Sequence, residues 1–111
     1  MILFQLYFEV APDKTEEFES TFAEVFLPAL SRQQGFKHCK LLRTFAPAVS
    51  AEIQAHTDEF NYQANFVFES EQLRRNWAKS ADHDVAWPAM EKLCKKVGWR
   101  GYDLLSDSLD R

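Results

Sequence analysis

The chain has 111 residues and a formal net charge of −4, which suits one hydrophobic core and one domain spanning residues 1–111. Hydrophobic residues make up 46%, including ten Phe and three Trp, which excludes a disordered chain, and the interspersed charges exclude a membrane span. Basic residues are scattered apart from Arg74-Arg75 and Lys95-Lys96, so no strip exists to neutralise phosphates and nucleic acid is not an expected partner. The opening Met1-Ile2-Leu3-Phe4 has no basic leader and no long apolar run, which predicts a cytoplasmic protein without a signal peptide. Cys39 and Cys94 lack any Cys/His spacing, which predicts reduced, buried thiols rather than a disulfide or a metal site.

Ile2, Phe4, Leu6, Phe8 and Val10 alternate with Leu3, Gln5, Tyr7 and Glu9, which predicts a first strand with one wholly apolar face. Pro12 suits the first turn of a helix, Asp13, Glu16 and Glu17 suit its positive end, and Phe18, Phe22, Phe26 and Leu30 recur every four residues. Pro28 should kink or interrupt that helix, and Gly35 supplies a left-handed stop. Residues 36–45 predict a second strand. The long connection 46–61 has room for a helical turn or two within 49–56, and connections of that length often carry function. Residues 62–68 predict a third strand, with Tyr62, Ala64, Phe66 and Phe68 opposite Gln63, Asn65 and Val67.

Ser70 is a good N-cap for a helix whose Leu73, Trp77 and Ala81 share one face. Pro88 and the polar patch 80–84 should divide this helix, the later part carrying Met90, Leu93, Cys94 and Val97 up to Gly98. A short fourth strand over 100–105 and a polar tail over 106–111 complete the chain. The order βαββαβ is the ferredoxin-like arrangement, an antiparallel sheet with two helices on one face. The other face places Gln5, Tyr7, Gln63 and Asn65 side by side, and a homodimer is the simplest cover for it.

Phe68-Glu69-Ser70 and the segment Trp77-x-Lys79-Ser80 resemble the strand-to-helix junction of the antibiotic-biosynthesis-monooxygenase-like family of dimeric α+β barrels. The specific part of the likeness lies within residues 66–87. It implies a homodimer with a cavity for a small apolar or aromatic ligand, and oxygen chemistry without a cofactor. In that family's haem-degrading branch a helix tryptophan matches Trp77, but the iron-binding histidine falls at Trp87 and the strand asparagine at Leu6 or Gln5. Indole cannot bind ferric iron as imidazole does, because its nitrogen lone pair belongs to the ring. In the ring-oxidising branch the corresponding asparagine and tryptophan fall at Ala64 and Phe68, with Asn65 one residue away and so on the opposite face.

The candidate catalytic residues are therefore Asn65, Trp77 and His83, with Gln5, Tyr7 and Phe68 as substrate-binding residues. Deprotonating a quinol-like substrate requires a base near neutrality, His83 or His38, and donors for the resulting anion, Asn65, Trp77 and Tyr7. Each also has an ordinary structural role available: Trp77 as core, His83 as a solvated loop residue between Asp82 and Asp84, and Gln5, Tyr7 and Asn65 as polar interface groups. The competing readings are a non-catalytic ligand-binding or assembly module and a haem-binding or haem-degrading protein. No metal ion is expected at Asp82-His83-Asp84, since adjacent residues seldom converge on one ion.

Overall fold

A computed structural model describes residues 1–109. Four strands, β1 (Ile2–Val10), β2 (Phe36–Arg43), β3 (Tyr62–Phe68) and β4 (Cys94–Asp103), form one sheet in the order β2-β3-β1-β4. Every neighbouring pair is antiparallel. The alternation of β1 decides which residues face the helices: Phe8 and Val10 are buried together with Ala64, Phe66 and Phe68 of β3. Against this surface lie α1 (Thr15–Thr21), a π-helical turn (Phe22–Phe26), α2 (Leu27–Ser31), α4 (Glu71–Ala78) and α5 (Ala81–Glu91), while α3 (Pro47–Glu52) sits in the long connection.

Pro28 does not interrupt the first helical run. The run passes instead through the π turn, in which the Leu27 amide reaches back to the Phe22 carbonyl, five residues away. Proline lacks an N–H and crowds the carbonyl four residues earlier, and a wider turn just before it relieves both problems. The turn also keeps the aromatic stripe aligned. Four residues of α-helix overshoot a full turn by about 40°, and the looser π turn takes up that drift, so Phe18, Phe22, Phe26 and Leu30 all stay buried.

The second helical region is divided at Lys79-Ser80, where the expected polar patch begins, and not at Pro88, which lies inside α5. Ser80 accepts the His83 amide at 3.1 Å and donates to the Trp77 carbonyl at 2.7 Å, ending one helix and starting the next. Cys94, Val97 and Gly98 belong to β4, not to the helix. They pair with β1 from Val10↔Cys94 onward, around an irregularity at Glu9/Val10, because the outer edge of β1 offers a full ladder of backbone partners. The two cysteines are free and only partly buried. The α3 turn starts two residues ahead of the expected segment, with Pro47 in its first turn.

Among the described residues no helix covers the second face of the sheet, and no helix is long and apolar enough to cross a membrane. One rung of that face runs Lys40, Asn65, Gln5 and Arg100. Past β4 the chain crosses one end of the face: the Leu104 amide bonds the Met1 carbonyl at 3.0 Å, and Asp107 meets His38 Nε2 at 2.9 Å. Val67, paired with His38, is buried there. The last two residues of the expected polar tail lie outside the described residues.

Gly35 has φ +86°, and an added Cβ would lie 2.4 Å from Leu73 Cδ1, whereas one at Gly101 would meet Phe4 at an ordinary 3.5 Å. Gly35→Ala is expected to lower the urea-unfolding free energy by about 1–2 kcal/mol, and Gly101→Ala to change it by less than about 0.5 kcal/mol. Equal effects would show that the left-handed turn before β2 is not a constraint on the fold.

Candidate active site

Between the sheet and the helices lies a cleft of about 240 Å³ whose walls are mostly aromatic. β1 and β3 supply Phe4, Leu6 and Phe66, the π turn supplies Phe26, α4 supplies Arg74, Trp77 and Ala78, α5 supplies His83 and Trp87, and β4 supplies Trp99. Helical spacing explains the grouping. Arg74 with Trp77 and Ala78, and His83 with Trp87, are three or four residues apart and so share a face.

The break at Ser80 brings the first turn of α5 back over Trp77. The His83 ring sits 5.0 Å from Trp77, edge to face, and 6.2 Å from Trp87, nearly parallel at 16°. Trp77 is held by Phe26 at 5.7 Å, and Trp87 contacts Phe8 at 6.0 Å and Trp99 at 6.3 Å. Trp77 is buried, whereas Trp99 is 60% exposed, so the cleft opens past β4.

Burial holds the His83 imidazole below its ordinary value near 6.5; Asp84 opposes that shift and the positive charge of Arg74 adds to it. The ring is therefore neutral at pH 7 and able to accept a proton. Among the described residues neither ring nitrogen has a hydrogen-bond partner, and neither is sealed off. Arg74 donates from Nε to Glu71 Oε2 at 3.0 Å and from Nη2 to Oε1 at 2.6 Å, and its guanidinium lies 4.5 Å over the Phe4 ring. The hydrogen bond from Arg74 is the main cause that brings the Glu71 carboxyl down to about 2, with desolvation opposing it and Arg75 assisting.

Of the residues singled out from the sequence, the fold brings Trp77 and His83 together. Gln5, Tyr7 and Asn65 lie on the helix-free face, with the thickness of the sheet between them and the cleft, because odd residues of β1 and β3 point away from the helices. There Tyr7 donates to Gln5 Oε1 at 2.5 Å, and Gln63 to Asn65 Oδ1 at 2.9 Å. Phe68 is fully buried, packed edge-on against Phe36 and Phe66, so it supports the floor and has no surface left for a ligand. His38 is also on the far face, engaged by Asp107, its buried Nδ1 without a partner among the described residues.

Sequence reasoning missed Arg74 and saw Trp87 only as a departure from the haem pattern. The available signal was the spacing of Arg74 to Trp77 and of His83 to Trp87. A second, more polar cleft of about 350 Å³ opens beside Tyr7, His56 and Phe60 at the loop end of the other face. Among the described residues no group of three or more His, Cys, Asp or Glu is placed to hold a metal ion.

No family model matches the chain, and no curated protein matches it. Solved structures do. SnoaB from Streptomyces nogalater, a cofactor-independent oxygenase, superposes in a variant form with TM-score 0.73 and 20% identity, over 96% of this chain and 95% of that one. A candidate antibiotic biosynthesis monooxygenase from Caulobacter crescentus gives TM-score 0.73 at 18% identity, over 95% and 90%. MhuD, in a form with two manganese protoporphyrin IX bound per active site, gives TM-score 0.73 at 18% identity, over 96% and 97%. The chain therefore has the ferredoxin-like α+β fold of the antibiotic-biosynthesis-monooxygenase-like proteins. At these identities the likeness speaks to the fold alone.

An NMR titration should give His83 a midpoint below about 6.5. Asp84→Asn, which removes the charge that supports protonation, should lower it further. A midpoint above 6.5 in the native protein would contradict the burial of the ring.

Proposed function

We propose that the protein binds a small planar aromatic compound in the Trp77–His83–Trp87 cleft and oxidises it with molecular oxygen, without a cofactor. The observation that carries this reading is a neutral, unpartnered imidazole held between two indoles in a largely apolar cleft. Such a ring is a base aimed at a ligand that stacks beside it. From a quinol His83 removes a hydroxyl proton, the electron-rich anion passes an electron to oxygen, and recombination forms a carbon–oxygen bond at the ring. Loss of water then leaves a hydroxyquinone, so quinol and O₂ give hydroxyquinone and H₂O. The indoles exclude bulk water and keep the anion's electrons available to oxygen.

The cleft's 240 Å³ falls below the roughly 300–1,000 Å³ typical of drug-sized ligands, which favours two or three fused rings. A porphyrin is larger than this volume. We assign Gln5, Tyr7 and Asn65 of the helix-free face to a homodimer interface. That face offers Leu3 and Leu42 beside these polar groups, a mixed surface that suits a symmetric pair.

Oxygen uptake with a naphthoquinol should fall on the order of 10²-fold or more in His83→Ala and several-fold in Trp77→Phe, with the fold retained. Unchanged uptake in both variants would remove the cleft from the chemistry; uptake absent from the native protein while the quinone still binds would leave a binding module. The native chain should sediment as a dimer, and Tyr7→Arg should yield monomer. A native monomer would overturn the interface assignment.

A further inference from the structure

We infer that Arg74 selects the ligand of this cleft, and that the ligand presents a ring oxyanion, the ionised hydroxyl of a fused aromatic system, to its guanidinium. This rests on the reading of the cleft as a site for planar aromatic compounds and adds what chemical group such a compound must carry.

The Arg74 side chain is only 17% exposed, unusual for an arginine on a short surface helix. Its placement is fixed from two sides. Glu71, one turn earlier, takes Nε and Nη2 in a forked pair, and the Phe4 ring supports the guanidinium plane from below at 4.5 Å. Among the described residues Nη1 has no acceptor, and the side chain forms part of the cleft wall. An arginine present only to hold Glu71 needs neither the Phe4 platform nor a position beside Trp77.

The charge balance gives the group its use. Arg74 disfavours protonation of His83, so an imidazolium formed by taking a ligand's proton would face a like charge across an apolar cleft. An oxyanion placed between the two relieves this, since its negative charge attracts Arg74 and the new imidazolium alike. A neutral ligand of the same shape gains nothing from Arg74. Before the ligand arrives, Glu71 supplies the counter-charge; at 45% exposure it can turn to solvent when a second anion takes its place.

Calorimetry at pH 7 and low salt tests this with two compounds of one ring system, 2-hydroxy-1,4-naphthoquinone, which is ionised at that pH, and its neutral 2-methoxy analogue. The native protein should bind the hydroxy compound at least tenfold more tightly. Arg74→Met should bring the two within about threefold by weakening only the anion, and Arg74→Lys should retain part of the preference. Glu71→Gln should enlarge the preference, because the resident carboxylate no longer competes; a purely structural Arg74–Glu71 pair predicts a loss instead. Equal binding of the two compounds by the native protein, or a preference that survives Arg74→Met, overturns the inference and leaves the cleft reading standing. Failure of both compounds to bind the native protein overturns the two together.

Discussion

Successive residues of a β-strand point to opposite sides, and in this chain that period of two sorts the whole molecule. Ile2–Val10 places Phe4, Leu6 and Phe8 on one side and Leu3, Gln5 and Tyr7 on the other, and β3 repeats the division at Phe66 and Asn65. The first set packs with the phenylalanine stripe of α1 and its continuation, Leu6 and Phe8 buried and Phe4 partly so. A shift of one residue in either strand would exchange the faces and put Gln5 and Asn65 among the phenylalanines. Core, cleft and open face are therefore set by one alternation.

Within that frame the cleft depends on two local devices. The π turn lets the helix tolerate Pro28 while Phe26 still reaches Trp77. The double hydrogen bond of Ser80 folds α5 back so that His83 lies between two indoles. Neither device touches a ligand, yet both fix where the base can act. Apolar burial keeps the imidazole neutral, and the Arg74–Glu71 pair introduces charge into the same space without leaving either ion unpaired.

Much of the fold was legible in the sequence because its signals are short-range. The alternation of β1, the bounds of β3, the Ser70 cap and the left-handed Gly35 all follow from residue type and spacing, and all are present. Both internal prolines were over-read as breaks, since a wider turn and the body of α5 accommodate them. The start of β4 was not legible: Val97 and Gly98 join the sheet because β1 has an unpaired edge, a long-range fact that local pattern does not carry. The site divides the same way. Trp77 and His83 stood out by type, whereas Arg74 on a helix resembles any solvated charge until Phe4 and Glu71 are placed around it. The separation of Asn65, Gln5 and Tyr7 from Trp77 follows from strand parity, and it turns one expected polar cluster into two surfaces.

A crystal structure of the protein with a bound naphthoquinone bears most directly on the central claim. The account predicts the ring system in the cleft, against the side chains of Trp77, His83 and Trp87, with a ring oxygen toward Arg74. Density only beside Tyr7 and His56 on the other face, with the Trp77 cleft empty, would contradict it.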